Sequence, residues 1–473
     1  MCSRWWLTFG LGWAGVACAG EPQPAETVAV SLEAQKEEAP KPEAPVPSYE
    51  IRKATRELTV YRKAASGGAQ RGVIAKGRTF RVVNRAEGKG CGGDGWAEVE
   101  GAGYVCLEKT EVADVEPVPL PQLVPFVHPD PVEWTQYSTT GEYNKNPGDG
   151  IRSLVPFIYG KRWRKWKAPH YSSVEAYEKG AASVGGLESG RKYSFVSAQE
   201  TSKGTVLVRE NGAVVPADQV FLYPISKFHG RELATSPVGE GLQVAWVYNY
   251  DGTPLRKEPN KKGEVEKVIP YHTALEVRPV EGSSTWLEVP NGIGPGVSGY
   301  VDGVLGVRHW SDLTPPADIQ SEQVWIDIDL DQQMLALMRG SQPQYITMIS
   351  GGKDDTGTPR GIYRIQDKKI WGDMASREGA LPEDVYYVEK VPWILHIQGR
   401  YALHGAFWHW GFGNTASHGC VNLAPLDAQY LFGKVGPTLS DGWSAVYQNA
   451  DDVGTTVRIR RGQQVPPEKR GKL

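Results

Sequence analysis

Residues 404–422 read HGAFWHWGFGNTASHGCVN and combine one thiol with three histidines in a glycine-rich setting. Cys420 directly follows Gly419, and His404 lies sixteen residues before the cysteine. A free thiol is mostly protonated at neutral pH, so a nucleophilic cysteine needs a nearby imidazole to accept its proton. We therefore predict a cysteine active site in which Cys420 is the nucleophile and His404 is the general base.

The turn before the cysteine offers backbone donors. Residues two apart on a strand face the same way, so the His418 ring is a second candidate neighbour of the sulfur. Consecutive N–H groups of His418, Gly419 and Cys420 are expected to bind an oxyanion that develops during acyl transfer. Gly419 carries no side chain that would crowd this approach.

The same residues allow two other interpretations. A single cysteine is often a small buried apolar residue, and four histidines between residues 396 and 418 with a cysteine are ligand types that zinc accepts. The spacing matches neither HExxH nor paired CxxC, so we expect no metal and no organic cofactor. His396 and His409 are interpreted as core or cleft-wall residues.

The pattern resembles the signature of the L,D-transpeptidase (YkuD-like) catalytic domain, with His404-Gly405 followed by SHGCVN at 417–422. This resemblance implies that Cys420 is the nucleophile and that the Gly405 carbonyl orients His404. It also implies an oxyanion and substrate-binding turn made of Ser417, His418, Gly419 and Asn422. The family's TPxG segment recurs at 358–361, and the resemblance covers about residues 320–462.

The same resemblance implies a β-sandwich-like catalytic domain that acts on peptidoglycan stem peptides as donor and acceptor. A stem-peptide thioester on Cys420 would be transferred to an amine, which cross-links the cell wall, and β-lactams of the carbapenem class are expected inhibitors. Two alternatives stay open: an L,D-carboxypeptidase or endopeptidase in which water resolves the thioester, and a non-catalytic wall-binding scaffold. Phe407, Trp408 and Trp410 are expected to line the cleft, either as a lid or as a fixed wall.

The N-terminus has the composition of an export signal. Arg4 precedes an apolar run that ends in small residues, so residues 1–19 are predicted to direct export to the periplasm or cell envelope. The alternative is a lipoprotein signal in which Cys18 becomes the acylated first residue and anchors the chain to the membrane. Residues 20–48 are rich in Pro, Ala and Glu and are predicted to form a disordered linker.

Length and composition favour a mainly β protein of several domains. The chain has 473 residues with 55 Gly, 34 Pro and 16 Trp. A net charge of -3, without a basic stripe, argues against a nucleic-acid partner. Cys91 and Cys106 are predicted to form a disulfide in an oxidising compartment, the alternative being two independent buried thiols.

An internal repeat organises the first two-thirds of the chain. Trp96–Val99 followed by GYV at 103–105 returns as Trp286–Val289 followed by GYV at 299–301. We predict two small barrels, at residues 50–115 and 240–310, which are similar to bacterial Src-homology-3-like domains. Between them lies an intermediate β-rich region, 116–235, where Asn211-Gly212 indicates a hairpin of a degenerate third copy. A short helix is predicted at 424–432 and a basic tail at 463–473.

Overall fold

A computed structural model describes residues 49–118, 155–163, 167–291, 297–311, 314–353, 357–376, 378–379 and 385–463. The predicted export signal with Cys18, the linker 20–48, part of the region 116–235 and all but the first residue of the tail 463–473 lie outside these described residues. Strands dominate the described chain, which confirms the mainly β fold. None of the helices in this part is long and apolar enough to cross a membrane.

The first barrel has seven strands in the order β3-β2-β6-β5-β4-β1-β7. Their bounds are β1 Glu50–Ala54, β2 Leu58–Tyr61, β3 Gln70–Ile74, β4 Thr79–Ala86, β5 Trp96–Val99, β6 Gly103–Cys106 and β7 Thr110–Val112. Alternate side chains of β1 and β2 are buried, which is the pattern of strands that cover one core. A disulfide joins Cys91 to Cys106 at the edge of this barrel.

The intermediate region repeats that strand order. Its strands are β8 Ile158–Arg162, β9 Pro169–His170, β10 Gly185–Gly186, β11 Arg191–Phe195, β12 Ser197–Thr201, β13 Gly204–Val208, β14 Val214–Pro216 and β15 Val220–Leu222, with helix α1 at Val174–Glu178. The run β15-β8-β11 continues through β12-β13-β14, and a bridge from Val214 to Tyr171 leads to β9 and β10. Since β11 and β12 together take the place of β4, this is a third copy of the barrel, and Asn211-Gly212 lies in its β13–β14 hairpin.

The second predicted barrel has the same topology, in the order β19-β18-β22-β21-β20-β17-β23. Its strands are β17 Gln243–Val247, β18 Thr253–Arg256, β19 Val265–Ile269, β20 Ala274–Pro279, β21 Trp286–Val289, β22 Gly299–Asp302 and β23 Val307–His309. The sequence repeat keeps its register, because Val99 pairs with Gly103 and Val289 pairs with Gly299. The kinship of these barrels with Src-homology-3-like domains stays a prediction.

The C-terminal region is built on a six-stranded sheet in the order β16-β26-β25-β24-β33-β27. The strands are β16 Arg231–Glu232, β24 Val324–Asp329, β25 Met334–Arg339, β26 Gln342–Met348, β27 Gly361–Arg364 and β33 Thr456–Arg460. The sequence alternation in β24 predicts a polar face, yet Asp327 and Asp329 are buried. They form ion pairs with Arg458 and Arg460 on the neighbouring parallel strand, which satisfies these buried charges.

The second layer of this region carries the site. It contains β28 Asp367–Ala375, β29 Tyr387–Gln398, β30 Tyr401–Gly405, β31 Val421–Leu423 and β32 Ala445–Tyr447, with helix α2 at Pro425–Lys434. The helix begins one residue later and ends two residues later than predicted. Lys368 donates to the carbonyls of Phe432 and Val435 at the helix C-terminus, at 2.6 and 2.7 Å.

Two barrels join this layer directly. In the first barrel, β3 pairs with β32, and in the intermediate barrel β11 pairs with β29, so one sheet of fifteen described strands runs through all three. The second barrel instead shares an apolar core with the six-stranded sheet, through Trp246 and Phe412. The described residues from Tyr49 onward belong to one compact unit.

Candidate active site

His404 lies on β30, and Cys420 directly precedes the adjacent strand β31. In the parallel pair β30–β31, Leu403 lies opposite Val421 and His404 lies opposite Asn422. Residues two apart share a face, so His404 lies on the face of Ala402, and extension of the register places Cys420 beside Ala402. The Ala402 backbone is near enough to the sulfur to favour the thiolate, in agreement with that register.

The turn at 417–420 is tied by one hydroxyl. Ser417 Oγ donates to the Cys420 carbonyl and accepts from the Gly419 N–H at 3.1 Å. Gly419 has a φ of 117°, which a residue with a side chain rarely adopts. The Gly419 N–H is therefore already hydrogen-bonded, which corrects the prediction that it is open to an oxyanion.

The segment 350–353 pairs with this turn, and Thr358 of the TPxG motif contacts that segment. Ser350 and Asn422 exchange two backbone hydrogen bonds of 2.9 Å, and the Lys353 N–H donates to the Ser417 carbonyl at 3.1 Å. Between them, the Gly352 N–H donates to Thr358 Oγ1 at 2.9 Å. The buried Thr358 hydroxyl thus holds the segment 350–353, which in turn pairs with the cysteine turn.

His404 is buried, with 2% of its surface exposed. Its Nδ1 lies 3.4 Å from the Gly405 carbonyl, a long hydrogen bond in which Nδ1–H donates and Nε2 is left as the basic nitrogen. Burial lowers the pKa of His404 to about 4. The imidazole is therefore neutral at neutral pH and able to accept a proton.

Cys420 is half-buried and carries a free thiol. Its Sγ–H donates to the Arg400 carbonyl at 3.7 Å. Burial raises the pKa of the thiol, against smaller opposing effects of the Ala402 backbone and the Arg400 charge. Desolvation is the larger effect, so the protein environment favours the thiol over the thiolate.

His409 contributes a contact that the sequence interpretation missed. Its Nε2 lies 2.9 Å from Nδ2 of Asn422, the residue opposite His404, and burial lowers its pKa to about 4. Its Nδ1 is buried and has no hydrogen-bond partner among the described residues. The segment between β30 and the cysteine turn thus places a second neutral imidazole, that of His409, against β31.

The aromatic segment 407–414 contacts the intermediate and second barrels. Phe407 is buried and stacks on Tyr159 of the intermediate barrel at a centroid distance of 3.8 Å. Trp410 is 42% exposed, donates from Nε1 to the Pro224 carbonyl at 3.3 Å, and accepts on its own carbonyl from Tyr271 of the second barrel. Arg308 donates to the Gly413 carbonyl at 2.8 Å. Contacts from two barrels therefore hold the segment, and Trp408 lies 5.7 Å from the His404 ring.

The remaining histidines lie differently. The His418 ring is exposed and stacks on Tyr386 at 5.2 Å. Burial raises the pKa of Tyr386, and the charge of the nearby Cys420 thiolate raises it further. His396 pairs with Asp367 at 2.7 Å across β28 and β29. In the described ranges, no three His, Cys, Asp or Glu side chains come together as a metal-binding group.

Residues 323–459 match the family model of the YkuD L,D-transpeptidase catalytic domain, which confirms the resemblance found in the sequence. The chain is 29% identical over 139 residues to the putative L,D-transpeptidase YciB of Bacillus subtilis, covering 26% of this chain and 68% of that protein.

Solved structures with similarity include an Enterococcus faecium L,D-transpeptidase, at 22% identity and a TM-score of 0.23 over 29% of this chain and 50% of that one. Another is an L,D-transpeptidase from Mycobacterium smegmatis, at 18% identity and a TM-score of 0.25 over 51% of this chain and 88% of that one. The chain thus spans about half the length of the first of these structures.

Proposed function

We propose that the chain is an exported peptidoglycan L,D-transpeptidase that works through a cysteine thioester. One observation carries this proposal: the neutral, buried His404 lies on β30, and extension of the β30–β31 register places the thiol Cys420 on the same side, beside Ala402. The match of residues 323–459 to the catalytic-domain family supports a peptidoglycan-acting enzyme.

The proposed first step is acylation. The Cys420 thiol turns from the Arg400 carbonyl to His404 Nε2, which takes the proton as the sulfur attacks the carbonyl between an L-centred diamino acid residue and the following D-Ala. The carbonyl π electrons move to oxygen, and the backbone N–H groups of His418 and Cys420 stabilise this oxyanion. When the C–N bond breaks, the imidazolium returns its proton to the leaving amine of D-Ala.

The second step transfers the acyl group. The side-chain amine of a second stem attacks the thioester, His404 accepts the amine proton, and the thiol re-forms as the amide is completed. A hydrolase would use water in place of the amine, and the two reactions share every residue named so far. We favour transfer, because Trp408 packs in the same apolar cluster as Cys420 and restricts water around the thioester.

Mass spectrometry of defined muropeptides tests the proposal. Wild-type protein should convert two stems into a cross-linked dimer with release of D-Ala, whereas trimmed monomer alone would assign a hydrolase. Cys420→Ala should give neither product and no carbapenem adduct. Adduct formation in that variant would contradict the choice of nucleophile.

Two histidine variants assign the base. His404→Gln should suppress both carbapenem acylation and turnover, while His418→Gln should retain measurable acylation because its ring faces Tyr386. The opposite result would exchange the two roles. Export to the periplasm or cell envelope, with or without a lipid on Cys18, is proposed from residues 1–19 and is tested by cell fractionation of wild type and Cys18→Ala.

A further inference from the structure

Two lysines of the intermediate barrel form a like-charge pair beside the catalytic domain. Lys192 on β11 lies directly opposite Lys161 on β8. Like charges directly opposite each other on neighbouring strands destabilise a sheet. Within the described parts of the chain, neither ammonium group forms an ion pair with a carboxylate.

The face that carries these lysines is turned towards the active-site wall. Tyr159 lies two residues before Lys161 on β8 and therefore shares its face, and the Tyr159 ring stacks on Phe407. Lys161 Nζ lies 5.5 Å from the centre of the Tyr223 ring, and Lys192 Nζ lies 5.8 Å from the centre of the Trp408 ring. Lys161 Nζ also lies 5.1 Å from the centre of the Phe221 ring. These distances are within the range of cation–π contacts, and since an ammonium group has three N–H donors, donors remain for an anion.

The lysines lie at the rim of the apolar cluster that ends at the nucleophile. This cluster contains Tyr159 and Phe407 at its centre, with Tyr223, Trp408 and Cys420 packed against it. The Trp408 ring, over which Lys192 lies, is also 5.7 Å from the His404 ring. A substrate that reaches the thiol along this wall therefore passes the lysine pair.

Lys192 is half-buried, and burial together with the charge of Lys161 lowers its pKa. A charged group held next to a like charge in a partly desolvated position gains from an arriving anion. Two parallel N⁺–H donors match a carboxylate, and such charge-assisted hydrogen bonds are stronger than neutral ones.

We propose that Lys161 and Lys192 form a carboxylate-binding subsite, through which the intermediate barrel holds a free carboxylate of the donor stem peptide. The proposal rests on the proposed function and adds to it a specificity element outside the catalytic domain. The lysines position the donor and take no part in bond making. They are expected to change KM for the donor and leave kcat nearly unchanged.

The experiment uses the whole protein and two matched donors, a tetrapeptide stem with free carboxylates and the same stem with its side carboxylates converted to carboxamides. Wild type should show a KM about tenfold higher for the amidated donor, the change expected from the loss of one charge-assisted contact of ~1.4 kcal/mol. Lys161→Met/Lys192→Met should raise KM for the free-carboxylate donor by a similar factor and should no longer distinguish the two donors. Methionine keeps the apolar stem of each lysine against the aromatic rings.

Lys267→Met, on exposed β19 of the second barrel, is the matched control and should retain the wild-type preference. Alkylation of Cys420 by neutral iodoacetamide shows that the cleft of each variant is intact. Equal KM values of wild type for the two donors, or a preference that persists in the double variant, would overturn the subsite. Absence of turnover of both donors by wild type would instead overturn the proposed function on which the subsite rests.

Discussion

Two parts of the same nineteen-residue stretch, 404–422, are held in opposite ways. The catalytic part, β30 and the turn into β31, is fixed by backbone partners within the C-terminal region, such as Ser350 and Gly351. The aromatic part, 407–414, is fixed by side chains of the intermediate and second barrels, such as Tyr159 and Tyr271. The difference teaches that residues of the C-terminal region hold the proposed catalytic groups, while side chains of barrels distant in sequence hold the aromatic part next to them.

The largest effect is expected in the catalytic part. Ser417→Ala removes the hydroxyl that ties the Gly419 N–H to the Cys420 carbonyl, so the turn should lose its oxyanion geometry. We expect the rate of carbapenem acylation to fall by about 10²-fold, the typical loss when oxyanion stabilisation is removed. Stopped-flow acylation measures this. Thr415→Ala, two residues earlier and exposed, is the control. Equal acylation rates for the two variants would show that the turn keeps its geometry without the Ser417 hydroxyl.

The pH dependence tests the neutral thiol–imidazole pair. Because the pKa of His404 is lowered to about 4, the base stays deprotonated at mildly acidic pH, and the acylation rate should fall only below that value, by about tenfold per pH unit. The unfolded imidazole titrates near ~6.5, so the stability that buried His404 contributes is present above pH 6.5 and is lost as pH falls towards 4.

A His409 variant shows which of the two buried imidazoles, His404 or His409, produces the acid limb of the acylation profile. His409→Gln should keep the acid limb of the acylation profile at the same pH, because His409 contacts Asn422 and carries no proton in the reaction. A limb near pH 6.5 in the wild type would mean that His404 is solvated in the working enzyme. If the acid limb moves to another pH in His409→Gln, the titrating group is His409 and not His404.

A smaller effect on activity is expected when a contact between the intermediate barrel and the aromatic segment 407–414 is removed. Tyr159→Ala removes the ring stacked on Phe407, which should cost about 3–5 kcal/mol of unfolding free energy, as for other large aromatic truncations in cores. KM for the donor stem should rise by roughly tenfold (~1.4 kcal/mol), while iodoacetamide alkylation of Cys420 stays near the wild-type rate. Tyr159→Phe, which loses only the hydrogen bond to the Lys390 carbonyl, is the control. An unchanged KM in Tyr159→Ala would show that the wall does not depend on this barrel.

The smallest effect on activity is expected from the first barrel. Reduction of the Cys91–Cys106 disulfide, which closes a loop with a sequence separation of 15, should destabilise that barrel by about 3 kcal/mol. Acylation of Cys420 should be unaffected, because β3 joins the catalytic layer at β32 and not at the active-site strands. Calorimetry and acylation with and without reductant measure both, and Cys91→Ser/Cys106→Ser should show no response. Loss of acylation on reduction of the wild type alone would mean that this barrel also supports the cleft.

The candidate motif is visible in the sequence because its residues are neighbours along the chain. A thiol, a glycine with positive φ and a serine that ties the turn fall within four residues, 417–420, so their spacing identifies the motif. The barrel repeat was visible for a similar reason, because short strands with a tight register carry the same Trp and Gly-Tyr-Val positions. The third copy was nearly hidden, since its β4 equivalent is split into β11 and β12.

The sequence by itself thus determined the mainly β fold, the catalytic-domain family and the candidate pair His404 and Cys420. Only the tertiary structure decided that Gly419 N–H is occupied, that burial raises the pKa of the thiol, and that His409 reaches Asn422. Lys192 and Tyr159 could not be found from sequence spacing, because they lie more than two hundred residues from Cys420 in the chain. They approach the active-site strands through tertiary contacts such as the pairing of β11 with β29. Desolvation and long-range packing depend on what surrounds a group in space, and residue spacing along one chain does not encode those surroundings.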